Sequence, residues 1–234
     1  MIISLLAAAS VAAAQPAPST RLACPDLVTA EAFVCRALQQ KEAGNSSGAA
    51  TAFEQAAQAS PEKDPATARM WAAAGNMWIS AGQPGKAALD LDKALALPGL
   101  EAEQRGEALL DRARAAEAQN DLKTARAKAT EAAATISDDP FYWYFSAALS
   151  IREGDKTNAQ YAIGKALTLA PNDPTILFEA GHVADFAGDE EKARGYWMRA
   201  AAGDPHGEVG KAAAKAVEML GVTPTVKTDT QSPK

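Results

Sequence analysis

An all-α fold, a solenoid of stacked helix pairs, is predicted by three observations on this 234-residue chain. The first is composition. Alanine is heavily used, Val and Ile are sparse, and no segment alternates β-branched with polar residues as a half-buried strand would. The second is a repeat. Displaced by 34 residues, the last third of the chain falls onto itself: Asp139-Pro140 on Asp173-Pro174, Gly154-Asp155 on Gly188-Asp189, Ala159 on Ala193, Ala166 on Ala200 and Pro171 on Pro205. The third is punctuation. Asp-Pro supplies an N-cap oxygen and then a ring whose φ suits the first helical residue. Gly44, Gly82, Gly154 and Gly188 fall where a positive φ would end one helix and turn the chain into the next.

The elements follow in order. Residues 1–14, "MIISLLAAASVAAA", carry no charged side chain and end in small residues ahead of Gln15-Pro16. That is the pattern of a secretory signal cleaved after Ala14, although no Lys or Arg follows Met1. The run is too short to span a bilayer, so the mature chain is expected in the periplasm with no transmembrane anchor. Residues 15–29 form an N-terminal arm holding Cys24. Cys24 and Cys35 are the chain's two cysteines, and in an exported protein they make a natural disulfide between arm and first helix. Arg21 ahead of Leu22-Ala23-Cys24, with Pro16 and Pro18 upstream, argues against a lipidated cysteine.

Five 34-residue units then fill 30–207, at 30–63, 68–101, 106–139, 140–173 and 174–207. The first two junctions carry four extra residues each, near Glu62-Lys63-Asp64-Pro65 and within 97–104, and are expected to have longer turns. Each unit places a large apolar residue at position 4, small residues at 8, 20 and 27, and a bulky one at 24; Pro61, Pro171 and Pro205 sit at 32. Unit 68–101 shows this as Trp71, Gly75, Trp78, Ala87, Leu91 and Ala94, and unit 174–207 as Gly181, Ala193, Trp197, Ala200 and Pro205. Gln40 and Ala129 depart from the pattern at positions 11 and 24 of their units. Small residues let helices approach and bulky ones fill the space beside them. A lone hairpin could not bury its apolar face, but stacked neighbours could. Residues 208–220 put Val209, Ala213, Ala216, Val217 and Leu220 on one face, the pattern of a capping helix. Residues 221–234 are polar, Pro-containing and aperiodic, and are expected to be a disordered tail.

This residue set resembles the tetratricopeptide repeat (TPR), and with the leader it resembles exported bacterial TPR proteins. The resemblance implies a right-handed superhelix whose first helices line a concave groove, mainly through positions 2, 5, 9, 12 and 13. It implies noncatalytic protein–protein recognition, with the chain acting as a scaffold or adaptor in the cell envelope and a peptide or partner helix held in the groove. The alternative is a small-ligand binder, holding a lipid, glycan fragment or short peptide in the same place. At the groove positions stand Asn76, Arg114, Phe141, Tyr144, Arg152, Phe178, His182, Asp185 and Phe186. The four aromatics are expected to form one apolar patch, with Arg114, Arg152 and Asp185 setting the direction of the guest. The family's clamp for chaperone C-terminal carboxylates needs Lys at 5 and Asn at 9, then Asn at 6 of the next unit. Here those places hold Ala72, Asn76 and Asp111, so the clamp is not assembled.

One stretch invites a chemical reading. Glu179, His182 and Asp185 are spaced i, i+3, i+6 and share a helix face. A metal site wants three or four converging ligands. The preceding unit offers only Phe145, Ala148 and Ile151 opposite, and the other histidine, His206, lies in a distant turn. No metal and no cofactor are expected. There is no Gly-rich phosphate loop, no nucleophile beside a histidine and no C-x-x-C, so no enzyme is expected either. Carboxylate pairs on amphipathic helices are expected to be solvated charge. The net charge of −6 and the absence of a basic run exclude nucleic acid as a partner.

Overall fold

The computed structural model describes residues 23–61 and 63–220; the expected leader, the start of the arm and the expected tail lie outside the described residues. These contain eleven helices and no strand. They run as five pairs and a final helix: α1 Ala30–Glu42 with α2 Ser46–Ala59, α3 Pro65–Ser80 with α4 Pro84–Ala96, α5 Ala102–Ala118 with α6 Leu122–Ile136, α7 Pro140–Arg152 with α8 Lys156–Leu169, α9 Pro174–Ala187 with α10 Glu190–Gly203, and α11 Glu208–Leu220.

Local chemistry accounts for the boundaries. Asp64, Asp139 and Asp173 cap α3, α7 and α9, each accepting from a backbone N–H of the first turn, with proline next in the chain. Asn45, Asp121, Asp155 and Asp189 cap the second helices in the same way. Between the helices of four pairs stand Gly44, Gly82, Gly154 and Gly188, all at positive φ. The third pair turns instead on Asn120 at φ 62°, the non-glycine residue best able to adopt that conformation. The expected turn lengthening is slight: the two junctions, 60–64 and 97–101, have five residues against three or four at the later ones, and most of the added length lies elsewhere. Helices α3 and α5 have 16 and 17 residues against 13 in α7, so most of the extra residues form additional helix at their N-termini. Asp64-Pro65 and a capping box between Glu101 and Gln104 start these helices early.

The period of 34 is visible in the packing. Ala49, Ala87, Ala125, Ala159 and Ala193, all at position 20, are 0% exposed, and so are Ala56, Ala94, Ala132, Ala166 and Ala200 at position 27. At position 8 a methyl group is sometimes already too much. A Cβ on Gly75 would lie 2.5 Å from Leu91, and one on Gly181 would lie 2.1 Å from Trp197. Buried Phe53, Leu91, Ala129, Ile163 and Trp197 occupy position 24 and fill the layers between helices.

The two layers of the stack differ. The first helices α3, α5, α7 and α9 pack on one another in succession, whereas no comparable contact joins α2 to α4, α4 to α6, α6 to α8 or α8 to α10. The chain therefore curves with its first helices on the inside. Helix α11 closes the far end: Ala213 is buried, and Ala216, Val217 and Leu220 pack on Leu177, Ala184 and Trp197. At the near end a Cys24–Cys35 disulfide ties the arm to α1, and the Arg36 guanidinium donates to the carbonyls of Pro25 and Leu27 at 3.0 and 2.8 Å. No helix of the described residues is long and apolar enough to cross a membrane.

Candidate binding groove

The inner face presents two cavities, one in each half. The N-terminal cavity, about 290 Å³, is lined by residues of α1, α3 and α5, among them Lys41, Arg69, Asn76, Glu107 and Asp111. Two of its polar groups are engaged with each other, and a neighbouring arginine joins them. Asn76 Nδ2 donates to Asp111 Oδ2 at 2.7 Å, and Arg114 Nη1 donates to Asp111 Oδ1 at 2.8 Å. Both carboxylate oxygens of Asp111 thus have donors, and Asn76 and Arg114, expected to meet a guest, are tied within the protein.

Arg152 is tied as well. Reaching from the end of α7 back to the previous pair, it donates to the Glu117 carboxylate, to the Glu117 carbonyl at 3.0 Å and to Asn120 Oδ1 at 2.8 Å. It is a strut between neighbouring units. A second arginine, Arg126 of α6, braces the same junction from the other side through Ser146, Ser150 and Glu153 of the α7 segment.

The C-terminal cavity, about 420 Å³, lies between α7 and α9, lined by Ala148, Ile151, Arg152, Glu179, His182, Asp185 and Phe186. Here the sequence expectation for Glu179 is overturned. Its residue is 8% exposed rather than solvated, and it has no hydrogen-bond or ion-pair partner among the described residues. Burial pushes its carboxyl up to about 7. The cause is a substitution in the repeat. Asp111 and Glu179 both occupy position 6 of a first helix, and position 9 of the preceding unit, which supplies Asn76 to Asp111, supplies Ala148 to Glu179. The same place holds an acid twice and its donor once.

His182 sits beside it with its ring 4.5 Å from Phe178 and 5.3 Å from Trp197, centre to centre, both edge-on. Desolvation lowers its pKa, with Asp185 opposing, so the imidazole is neutral near pH 7. The Trp197 indole N–H donates to the Phe178 carbonyl at 3.0 Å, a contact that Gly181 makes room for. Helix α9 is thus held from behind by α10 while its opposite face opens into the cavity.

The four aromatics do not form one patch. Phe141, 48% exposed, meets Tyr144 edge-on at 6.5 Å, while Phe178 pairs with His182 and Phe186 lies under Lys156, whose Nζ is 5.4 Å from its centre. Tyr144 is half-buried between two layers of the core, and burial raises its hydroxyl pKa. The rings turn toward partners in their own or the adjacent helix, and this divides the surface in two. Among the described residues no three His, Cys, Asp or Glu side chains converge as metal ligands. Glu179, His182 and Asp185 face Ala148 and Ile151 across the cavity, as the spacing implies.

The helix pairs, the cap and the inner layer have close counterparts among solved structures. The fold is that of the TPR proteins. PilW, described as a widely conserved type IV pilus biogenesis factor, superposes with a TM-score of 0.66 at 20% identity, over 79% of this chain and 82% of its own. Pseudomonas aeruginosa PilF gives 0.63 at 15% identity, over 82% and 83% of the two chains. YrrB, described as a TPR protein with an unusual peptide-binding site, gives 0.55 at 18%, over 80% and 92%. No family model matches the sequence, and no curated protein matches it.

Proposed function

We propose that this chain is a noncatalytic interaction scaffold of the cell envelope, exported behind residues 1–14, that holds a peptide or partner helix against its first helices. The observation that carries the reading is the C-terminal half of the inner face. There Phe141 stands 48% exposed on α7, and an open cavity of about 420 Å³ lies between α7 and α9 with Phe186 in its wall. Two similar folds support it by what they are described as doing: one as a pilus biogenesis factor, the other as binding a peptide. The disulfide in the described arm supports an oxidising compartment. The fold, a stack of hairpins like those of TPR proteins, supports recognition rather than turnover.

The test is site-specific photocrosslinking in the native envelope fraction. A photoreactive phenylalanine analogue at Phe141 or Phe186 is expected to capture a discrete protein adduct that the same analogue at Tyr161, exposed on α8, does not. Equal capture at all three positions, or none at the inner two, overturns groove binding. Export is checked separately: the mature protein should begin at Gln15, and an N-terminus at Met1 would remove the envelope assignment.

A further inference from the structure

The C-terminal cavity contains a buried acid with no partner. Elsewhere buried or half-buried acids have at least one partner: Asp111 accepts from Asn76 and Arg114, and Asp90 of α4, 2% exposed, accepts from Lys93 at 2.8 Å through Oδ1 while its Oδ2 is unpaired. Glu179 has none, although it is more than nine-tenths buried and lines the cavity. Asp185, almost two helical turns along the same face, stands exposed on the rim and also makes no ion pair. The basic groups nearby do not answer them. Arg152 is bound to Glu117 and Asn120, Lys156 rests on the Phe186 ring without an ion pair, and His182 is neutral between Phe178 and Trp197. The remaining walls, Ala148, Ile151 and Phe186, are apolar.

We propose that this cavity is a receptor for an alkylammonium group, the side chain of a lysine presented by the bound partner. The methylene stem lies along Ala148, Ile151 and Phe186, and the ammonium meets Glu179 with Asp185 beside it. Each part follows from physical chemistry. A desolvated carboxylate without a donor is a deficit that an incoming cation removes. A compact ammonium suits one recessed carboxylate better than a planar guanidinium, which would bring more donors than the site has acceptors. A carboxylate-bearing guest would be repelled by Glu179 and Asp185 together. The inference rests on the groove-binding role proposed above and specifies its chemistry.

The experiment uses the full mature chain, isotopically labelled, followed by amide NMR at pH 8 so that Glu179 is ionised. The probes are n-butylammonium chloride, with n-butanol and sodium chloride as neutral and ionic controls. Butylammonium is expected to give saturable shifts at Ile151, Glu179 and His182 that neither control reproduces. In Glu179→Gln the apparent affinity should fall at least tenfold with the rest of the spectrum intact. Asp185→Asn should weaken it by a smaller factor, and Asp111→Asn in the other cavity should leave it unchanged. No saturable shift, an equal response to n-butanol, or an undiminished response in Glu179→Gln overturns the inference. A crosslink at Phe141 that survives Glu179→Gln at full yield overturns this inference and leaves groove binding standing. A normal butylammonium response with no crosslink at either inner position overturns groove binding alone.

Discussion

The two ends of the inner face are built on the same repeat positions and end in opposite electrostatic states. In the N-terminal half the acid at position 6, Asp111, is bracketed by Asn76 from the preceding unit and by Arg114 from its own. In the C-terminal half the acid at position 6 is Glu179, the preceding unit contributes Ala148, and its own unit contributes a neutral His182. The first acid is paired within the protein; the second faces an open cavity without a partner. In a repeat protein the same backbone position can thus hold a paired acid in one unit and an unpaired one in another, according to the residue that the preceding unit sets across from it.

That contrast can be broken from below. Trp197 supports His182 and Phe178 from α10. Trp197→Ala is expected to lower stability by about 3–5 kcal/mol, the usual range for a buried Trp. Hydrogen exchange should place the loss in α9–α11 while α1–α4 stay protected.

The charge itself is the next largest effect. Glu179 has a folded-state pKa of about 7 against an ordinary 4.5, so the folded chain holds its proton the more tightly. Stability from this group is fully present below about pH 4.5 and is lost as pH rises to 7. The difference amounts to roughly 3 kcal/mol at pH 8. Glu179→Gln should therefore stabilise the chain by up to about that much at pH 8 and hardly at all at pH 4. Urea titrations of both proteins across this range check the sign.

A donor can also be supplied where the repeat omits it. Ala148→Asn, which copies the Asn76 arrangement, is expected to raise stability at pH 8 by about 1–2 kcal/mol and to bring the Glu179 pKa down. The reciprocal change, Asn76→Ala, should cost about 1 kcal/mol, since Arg114 still serves Asp111. NMR titration of the two carboxylates is the direct reading. A result in which Ala148→Asn leaves the Glu179 pKa unmoved would show that positions 6 and 9 are not equivalent in the two halves.

The smallest effect concerns the turns that set both halves. Gly188 has a φ of +89°, and a Cβ added there would meet nothing within 4 Å, so Gly188→Ala should cost about 1 kcal/mol from backbone conformation alone. Thermal denaturation of the two forms measures it.

Much of this was legible in the residues. Asp-Pro and Gly mark helix starts and turns through local geometry, and alanine at positions 20 and 27 reports close approach wherever it recurs, so the hairpins and their stacking follow from short-range rules. The expectation of solvated carboxylates failed at Glu179 for the opposite reason. Whether position 6 is buried or paired depends on what the previous unit places across from it, some 35 residues earlier in the Asn76–Asp111 case. The aromatics of the groove were visible as residues, but their directions were not. Phe178 turns to His182 and Phe186 to Lys156, choices set by neighbours on adjacent helices. Likewise the four extra residues at two junctions read as loop, yet caps at Asp64 and Glu101 convert most of them to helix and leave the turns only slightly longer. Asn76 and Arg152 stand at groove positions as the pattern requires, and only the three-dimensional structure reveals that each already has a partner.

The inequality between the two layers has a mechanical consequence. With the backbones of α3, α5, α7 and α9 in successive close contact and their companions α4, α6, α8 and α10 meeting only through side chains such as Leu95, Leu167 and Tyr196, the stack resembles a leaf spring bound along one edge. Flexing it changes gaps on the outer edge and leaves the bound edge intact, so the stack can alter its curvature without melting any hairpin.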